Sequence, residues 1–400
     1  MERVSRSQEG GGVEMTIDYS LYQDREQAYV KHTFLDQYLP ALFSRVGSVY
    51  DEIVYVDGFA GPWQSAAGKT FADTSFGIAL RRMTEQKVNL GRNRGRSVKM
   101  RAFLVERDEQ AFEELKKAAS TFQDVEVHSL HGRMEDFAAV IANAIPGKAF
   151  SFVLIDPKGF PEIDAIMPLL SRRNSEALVN FMFDFANRFA GTELIPALGQ
   201  WLSLLGGEDR QAQLVGLTGD VREQAIESMA AEALRTKGQY DFAPLISVDK
   251  VRHDRSLYKL IFLSRHATGL KVFRDSQHKA LVAQATARSA VRAKDRAAAK
   301  GMDDLFGGAD AVPHDRSSQV MKLGQEQAKR DLEAALRVAG IRGVTWIELW
   351  PAILSARVVT HSQLGHAANE LRRAGKISIA EWPNERTRIP KDDFRLVWRV

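Results

Sequence analysis

The feature that most constrains the fold is a regular alternation of short apolar runs and helical stretches between residues 53 and 183. The apolar runs are rich in branched residues and too short for helices, which is typical of strands. Near-continuous apolar strands that alternate with helices predict a parallel sheet covered on both faces. The five predicted strands are residues 53–57, 101–106, 125–128, 150–156 and 177–183.

The rhythm changes beyond these strands. Two helices, at 192–205 and 221–237, are predicted without a strand between them, and 246–251 and 258–264 then form a predicted hairpin. Five parallel strands and a terminal hairpin, one strand of which runs antiparallel, are the order expected of an α/β class I (Rossmann-like) methyltransferase sheet. By periodicity alone, another nucleotide-binding Rossmann domain fits nearly as well.

The chain divides into four predicted parts. Residues 1–18 are polar and expected to be disordered, 19–285 form the Rossmann-like domain, 286–320 are a basic helix and a flexible linker, and 321–400 are a separate unit. That last unit has three helical stretches and two short strands around a basic loop, which is the pattern of a winged helix-turn-helix domain. Its helices are predicted at 327–339, 346–355 and 362–374, and its strands at 377–379 and 394–398.

Composition narrows the chemistry. The formal net charge is only +4, so affinity for nucleic acid has to come from local basic patches. The chain has no cysteine, which excludes disulfides, a thiolate nucleophile, a Cys zinc site and a Cys-held iron–sulfur cluster, and no metal site is predicted. The sequence shows no signal peptide and no apolar run of transmembrane length, so a cytoplasmic protein is expected.

Candidate ligand-binding residues follow the predicted strands, because ligands of doubly wound sheets lie beyond the carboxyl ends of the strands. The first strand ends in Asp57 and a turn whose glycines let the backbone approach a ligand, and the second ends in Glu106, a carboxylate that can hold both hydroxyls of a ribose. The chain lacks a Gly-Lys-Ser phosphate loop and a full Gly-x-Gly-x-x-Gly turn, which argues against a dinucleotide or a nucleoside triphosphate. S-adenosylmethionine, which needs no pyrophosphate cradle, fits better.

Lys31 and His32 on the first helix are candidates to close over the carboxylate of this cofactor, and a surface lysine beside a core histidine is the alternative. The predicted cofactor-binding residues are Lys31, His32, Asp57, Gly58, Phe59, Ala60, Gly61, Glu106, Arg107, Arg133, Met134 and Asp156.

In these segments the sequence resembles the three-Cys-motif partner proteins, a bacterial family with a methyltransferase-like domain. The resemblance covers roughly residues 25–285. It implies a Rossmann-like fold and a partner, a three-Cys-motif protein resembling radical S-adenosylmethionine enzymes, which would supply the cysteines that this chain lacks. The motifs that carry it are Tyr-Val-Lys-His (29–32), Tyr-Val-Asp-Gly-Phe-Ala-Gly-Pro (55–62), Leu-Val-Glu (104–106), Ile-Asp-Pro-Lys-Gly-Phe (155–160), Val-Asn-Phe-Met-Phe (179–183), and the segments 260–263 and 266–271.

More distantly, the sequence is similar to the ribosomal RNA adenine-N6 methyltransferases, which have a Lys-His near the N-terminus, an Asp-x-x-Ala-Gly first turn and an Asp-Pro-Pro-Tyr motif after strand four. This similarity implies that Asp156 and the Pro157 carbonyl hold the exocyclic amine of a base while Phe160 stacks on it. Lys31 is grouped with these three as a catalytic candidate.

Basic residues recur every four positions along 288–300, at the end of the third helix of the last unit, and in its wing loop. Such stripes are usually solvated, but beside a winged helix they are candidates for phosphate contacts, with base readout from 361–363 and 366. Winged helices also bind proteins, so an interaction module is the alternative. The predicted nucleic-acid-binding residues are Arg288, Arg292, Arg296, Lys300, Gln363, His366, Arg372, Arg373, Arg386, Arg388 and Lys391.

Two functions therefore stay open. The first is an S-adenosylmethionine-dependent methyltransferase acting on an exocyclic amine of a base in DNA or RNA. The second is a non-catalytic or partner-dependent nucleic-acid-binding subunit of the radical enzyme. Lys158 and Gly159 keep the second open, since they replace the Pro-Tyr of the related motif.

Overall fold

A computed structural model describes residues 17–61, 65–68, 71–159, 161–182, 214, 216–300, 314–382 and 389–399. In this part of the chain a sheet of seven strands lies between two layers of helices. The strands are β1 (Glu52–Asp57), β2 (Lys99–Glu106), β3 (Glu126–His131), β4 (Phe150–Ile155), β5 (Ser175–Phe181), β6 (Leu245–Asp249) and β7 (Ser256–Leu263). The helices are α1 (Glu26–Val46), α2 (Ser75–Arg94), α3 (Glu109–Ala119), α4 (Met134–Ala144), α5 (Ile163–Leu170), α6 (Gly219–Gly238) and α7 (Ala267–Lys300).

The strand order is β3-β2-β1-β4-β5-β7-β6, and β7 is antiparallel to both of its neighbours. This confirms the predicted class I (Rossmann-like) methyltransferase sheet, with five parallel strands and an antiparallel terminal hairpin. All five predicted parallel strands and the hairpin are present, with ends shifted by a few residues. The predicted helix at 192–205 lies outside the described residues, and α2 is a helix that the sequence analysis did not predict.

Both faces of the sheet are buried because successive strand residues point to opposite sides. In β1, Ile53 and Tyr55 belong to one apolar cluster, whereas Val54 and Val56 belong to the other. Helices α1, α2, α3 and α7 supply the first cluster, and α4, α5 and α6 supply the second. This arrangement leaves the strand ends as the place where polar side chains meet.

The C-terminal unit contains the three predicted helices and both predicted strands. Its elements are α8 (Arg316–Ala339), β8 (Val344–Thr345), α9 (Trp346–Ala356), α10 (His361–Arg373), β9 (Ile377–Ile379) and β10 (Arg395–Trp398). The strands form an antiparallel sheet in the order β8-β10-β9. Residues 383–388 of the predicted wing lie outside the described residues, and the winged-helix interpretation stays a prediction.

The predicted boundaries around residues 286–320 differ from the structure. Helix α7 runs without a break from 267 to 300, so a boundary after 285 falls inside it, and α8 already begins at Arg316. The buried Arg274 on α7 donates from Nε to the carbonyl of Leu354 at 2.6 Å and from Nη2 to that of Ser355 at 3.0 Å. The C-terminal unit is therefore packed against the helix that covers the sheet.

At the other end of the chain, residues 1–16 of the segment expected to be disordered lie outside the described residues. Ile17 is buried, and the carboxylate of Asp18 caps the short 3-10 helix Tyr19–Tyr22, so the last two residues of that segment are ordered. In the described part of the chain, none of the helices combines the length and apolarity that crossing a bilayer requires.

Candidate functional site

The candidate site lies at the topological switch point of the sheet. The strand order reverses between the adjacent strands β1 and β4: the chain passes from β1 to β2 on one side and from β4 to β5 on the other. Ligands of such sheets bind beyond the carboxyl ends of the strands at this point. The turn after β1 is fixed there by its backbone. The amide of Gly58 donates to the carbonyl of Leu154 at 3.0 Å, and the amide of Ala60 donates to that of Val105 at 2.9 Å. The turn therefore connects the ends of β4 and β2.

Gly58 has a packing role in this turn. A Cβ added there would lie 2.9 Å from Cγ of Met134 and 3.3 Å from Cδ1 of Ile155. Met134, the first residue of α4, is buried on the turn, and Phe59 is partly buried. The glycine thus admits the start of α4 beside β1, and direct contact of these residues with a cofactor stays a prediction, as it does for Gly61.

Asp57 is buried and its oxygens accept hydrogen bonds from its own chain. Oδ1 accepts from the amide of Phe59 at 3.1 Å, and Oδ2 accepts from the hydroxyls of Tyr55 at 3.1 Å and Ser75 at 2.6 Å. Burial raises the pKa of Asp57 to about 6, with a smaller contribution from the negative charge of Asp156. Through these bonds Asp57 stabilises the turn after β1 and holds it to the start of α2.

Glu106 leaves acceptor capacity at the end of β2. Its side chain is buried, Oε1 accepts from the amide of Asp108 at 2.7 Å, and Oε2 has no partner in the part of the chain that the structure describes. A carboxylate with a spare oxygen beside the switch point fits a ribose diol. The neighbouring Arg107 is exposed, and its carbonyl lies 3.2 Å from Nε2 of His131.

Arg133 lies at the rim, with its side chain 46% exposed. Its Nη2 is 2.7 Å from Oε1 of Glu162 and 3.4 Å from Oε1 of Glu135. The guanidinium therefore joins the start of α4 to the residue before α5. The adjacent carboxylates neutralise a charge that the sequence analysis assigned to cofactor binding.

The polar group with the most direct chemical meaning is Lys31–Asp156–Asn180. Nζ of Lys31 on α1 forms an ion pair with Oδ2 of Asp156, the residue after β4. Nδ2 of Asn180, near the end of β5, donates to Oδ1 of Asp156 at 2.6 Å. The structure thus brings together Lys31 and Asp156, both catalytic candidates, with Pro157 buried beside them and Phe160 outside the described residues.

Asn180 was not predicted as a site residue. It is a polar residue inside an apolar strand, close to the carboxyl end, and it belongs to the 179–183 segment of the family resemblance; these were the available signals. Its Oδ1 is buried without a hydrogen-bond partner among the described residues.

The structure favours the alternative for His32, a histidine packed in the core, and a contact with the cofactor stays a prediction. The ring is buried, its Nδ1 lies 3.0 Å from the hydroxyl of Tyr22, and burial holds the pKa of His32 well below its usual value. His32 is a core histidine that joins α1 to the preceding 3-10 helix.

The basic stripe on α7 is also not a free surface. Arg288 is 1% exposed, because its Nη1 donates to Asp249 at 2.9 Å, its Nε lies 3.2 Å from Asp315, and it also pairs with Asp254. Arg292 donates to the same Asp254 at 2.7 Å. Arg296 also has a partner, and the side chain of Lys300 lies outside the described part. Arg288 is thus excluded from phosphate contact by burial.

In the C-terminal unit the predicted contacts divide. Gln363 accepts a hydrogen bond from the amide of Thr360 at 2.9 Å and caps α10. His361 is buried, and its Nε2 accepts a hydrogen bond from Nε1 of Trp346 at 3.0 Å. The assignment of His361 to base readout is therefore wrong. His366 and Arg373 are exposed.

Two more basic residues of this unit lie over aromatic rings. The guanidinium of Arg372 is 4.8 Å from the ring centre of Trp382, and Nζ of Lys391 is 5.9 Å from that of Phe394. Arg386 and Arg388 lie outside the described residues.

Comparison with known proteins adds little to this geometry. No family model matches the chain, and no curated protein does. Among solved structures, a loganic acid methyltransferase with SAH is similar at a TM-score of 0.31 and 7% identity, covering 78% of this chain and 92% of that one. A likeness of this size carries no argument, and the fold class rests on the strand order. In the described part of the chain, no cluster of three or more His, Asp or Glu side chains is placed to hold a metal ion.

Proposed function

We propose that this protein is an S-adenosylmethionine-dependent methyltransferase that acts on an exocyclic amine of a nucleic-acid base. The observation that carries the proposal is the ion pair between Lys31 and Asp156. A carboxylate just beyond the end of β4, beside the switch point, already accepts hydrogen bonds from nitrogen donors on both of its oxygens. Those are the bonds that orient an amino group for methylation.

The residues present fit the proposed cofactor. Glu106 has a spare oxygen for a ribose hydroxyl, and the turn after β1 is held between β2 and β4 by the amides of Gly58 and Ala60. When bound, S-adenosylmethionine supplies an activated methyl group. The chain's own part is to position the amine: Asp156 and the carbonyl of Pro157 accept its hydrogens, which directs the nitrogen lone pair toward the methyl.

A nucleic-acid substrate is supported by the C-terminal unit. His366 and Arg373 on α10 and the exposed Lys391 before β10 offer donors for phosphates and bases. Packing of this unit against α7 through Arg274 keeps it at a fixed place relative to the sheet. We propose that it holds the strand whose base enters the site.

A partner-dependent form of this function is favoured by the same ion pair, because Lys31 occupies the oxygen that an amine needs. Substrate binding then requires Lys31 to leave Asp156. A three-Cys-motif protein resembling radical S-adenosylmethionine enzymes is the proposed partner, and it would bring the cysteines that this chain lacks.

The test is transfer of tritiated methyl groups from S-adenosylmethionine to total DNA and total RNA, with and without the partner. Asp156→Ala is expected to reduce transfer at least about 100-fold, because the amine loses its orientation, while the Kd for S-adenosylhomocysteine changes less than about twofold. Asp164→Ala, an exposed carboxylate on α5 that pairs with Lys237, is the matched control and should transfer at the normal rate. An Asp156→Ala protein with full activity overturns the proposal, as does a normal protein that transfers nothing under any of these conditions.

A further inference from the structure

We infer that Asn180 is a second acceptor for the substrate amine and restricts the reaction to a single methylation of a primary amino group. The inference rests on the proposed function. It starts from the side-chain oxygen of Asn180, which is buried and has no partner among the described residues.

The orientation of this amide is fixed by its neighbour. Nδ2 donates to Oδ1 of Asp156 at 2.6 Å, and the reversed amide would place its oxygen against a carboxylate oxygen. Oδ1 of Asn180 therefore faces away from Asp156, and its lone pairs meet no donor in the part of the chain that the structure describes. Asn180 is 6% exposed, so bulk water does not satisfy this oxygen.

A buried acceptor without a partner is uncommon, because it loses its hydrogen bonds to water without replacement. The position of this one points to a ligand. Strands β4 and β5 are paired up to Ile155 and Val179, so Asp156 and Asn180 are the next residues on the two strands, side by side at the edge where the site lies. The pair presents an anionic acceptor, Oδ2 of Asp156, and a neutral one, Oδ1 of Asn180.

A primary amino group has two N–H donors for these two acceptors. One replaces Lys31 on Asp156, and the other reaches Asn180. During transfer the nitrogen–methyl bond forms as the sulfur–methyl bond breaks, the bonding pair stays on sulfur as a neutral thioether, and the nitrogen releases one proton to Asp156 and then to solvent. The product keeps one N–H, so in a second round it can satisfy only one acceptor and Asn180 is again unpaired.

The product test uses the full chain, with its partner where transfer requires it. Methylated RNA and DNA are digested to nucleosides, and mono- and dimethylated products are separated by mass spectrometry. The normal protein should form the monomethyl product. Asn180→Ala should raise KM for the nucleic acid about three- to tenfold and raise the dimethyl fraction by a similar factor, the effect of one hydrogen bond. Asn180→Ser is a second variant should the first not fold.

The matched control is Ser151→Ala. Ser151 is also buried, and its hydroxyl has no partner in the described ranges, but it lies on the neighbouring β4 close to the amino end of that strand. It should change neither the product ratio nor KM, whereas a general loosening of the sheet would make the two variants behave alike. An unchanged product ratio in both Asn180 variants overturns the inference and leaves the proposed function standing.

A binding measurement decides the point without transfer. With S-adenosylhomocysteine present, the affinities of adenosine, cytidine and guanosine are compared with those of their N,N-dimethyl counterparts. The normal protein should prefer at least one primary amine about three- to tenfold, and Asn180→Ala should lose that preference. Equal preference in both proteins overturns the inference, whereas a lost preference without any methyl transfer by the normal protein supports Asn180 and overturns the proposed function.

Discussion

The buried polar side chains at the two ends of β5 differ in whether their hydrogen bonds are satisfied within the described residues. Near its start, Glu176 accepts hydrogen bonds from the hydroxyls of Tyr38 and Ser264, the latter at 2.7 Å. Near its end, Asn180 donates one hydrogen bond to Asp156, and its oxygen has no partner among the described residues. Both residues are more than nine-tenths buried, so burial alone does not distinguish them.

The difference lies in what surrounds each residue. Around Glu176 the space is filled, since a Cβ at Gly269 would overlap its carboxylate. A completed network of this kind stabilises the fold. At the carboxyl end, Asn180 and Glu106 keep an oxygen without a partner in the described chain, and an incomplete network is what a ligand completes. Changes at completed groups should therefore alter stability, and changes at incomplete groups should alter binding.

The largest expected effect is a loss of stability at a buried ion-pair network outside the site, in which every charged group has a partner. Arg288→Ala should lower the free energy of unfolding by about 3–5 kcal/mol, because it removes the cation that pairs with the buried Asp315 and the nearer of the two cations that pair with the buried Asp249. Urea unfolding measures this loss. Arg235→Ala, which removes an exposed pair with Glu232, should cost less than about 1 kcal/mol. A stable Arg288→Ala protein with weakened nucleic-acid binding would contradict this interpretation and restore the predicted basic stripe.

The ion pairs of Arg288 could not be predicted from the sequence. Its spacing along α7 predicts a basic stripe, but its partners come from β6, the turn after it and the residue before α8. Asp249 and Asp254 are 39 and 34 positions away in the sequence. Helical periodicity reports neighbours on the same helix and says nothing about carboxylates from other elements.

The strands were predictable because buried parallel strands are continuous apolar runs, and this pattern is the same whichever strand lies beside them in the sheet. The same reasoning placed Asp57, Glu106 and Asp156 at one edge of the sheet. It did not single out Asn180 as a site residue, although Asn180 lies in the Val-Asn-Phe-Met-Phe segment (179–183) of the family resemblance, because spacing alone indicates no chemical role for an amide within an apolar strand. Only its pairing with Asp156 and its open oxygen distinguish it.

At the completed end of β5, the expected effect is a pH-dependent stability. Burial raises the pKa of Glu176 to about 7, above its usual value of 4.5. The folded state then binds a proton that the unfolded state releases, so stability should fall by up to about 3 kcal/mol as pH rises from 4.5 to 7. Glu176→Gln should remove this part of the slope. Urea unfolding at pH 4.5, 6 and 7.5 measures it, and a slope unchanged by the substitution would show that Glu176 is ionised in the folded protein.

The smallest expected effect is on binding, at the half-completed Glu106. Glu106→Ala should weaken S-adenosylhomocysteine by roughly 1.5–3 kcal/mol, the scale of a hydrogen bond to a charged group. Isothermal titration calorimetry measures it. The control is Glu109→Ala, which removes an exposed carboxylate at the start of α3 and should leave the Kd unchanged.

The unfolding free energy distinguishes a role of Glu106 in cofactor binding from a role in stabilising the turn. If Glu106 mainly braces the turn through the amide of Asp108, both variants would bind equally and only stability would fall. Weaker binding at little-changed stability identifies Oε2 of Glu106 as the ribose acceptor, and no binding by the normal protein at millimolar ligand would remove the cofactor from this site altogether.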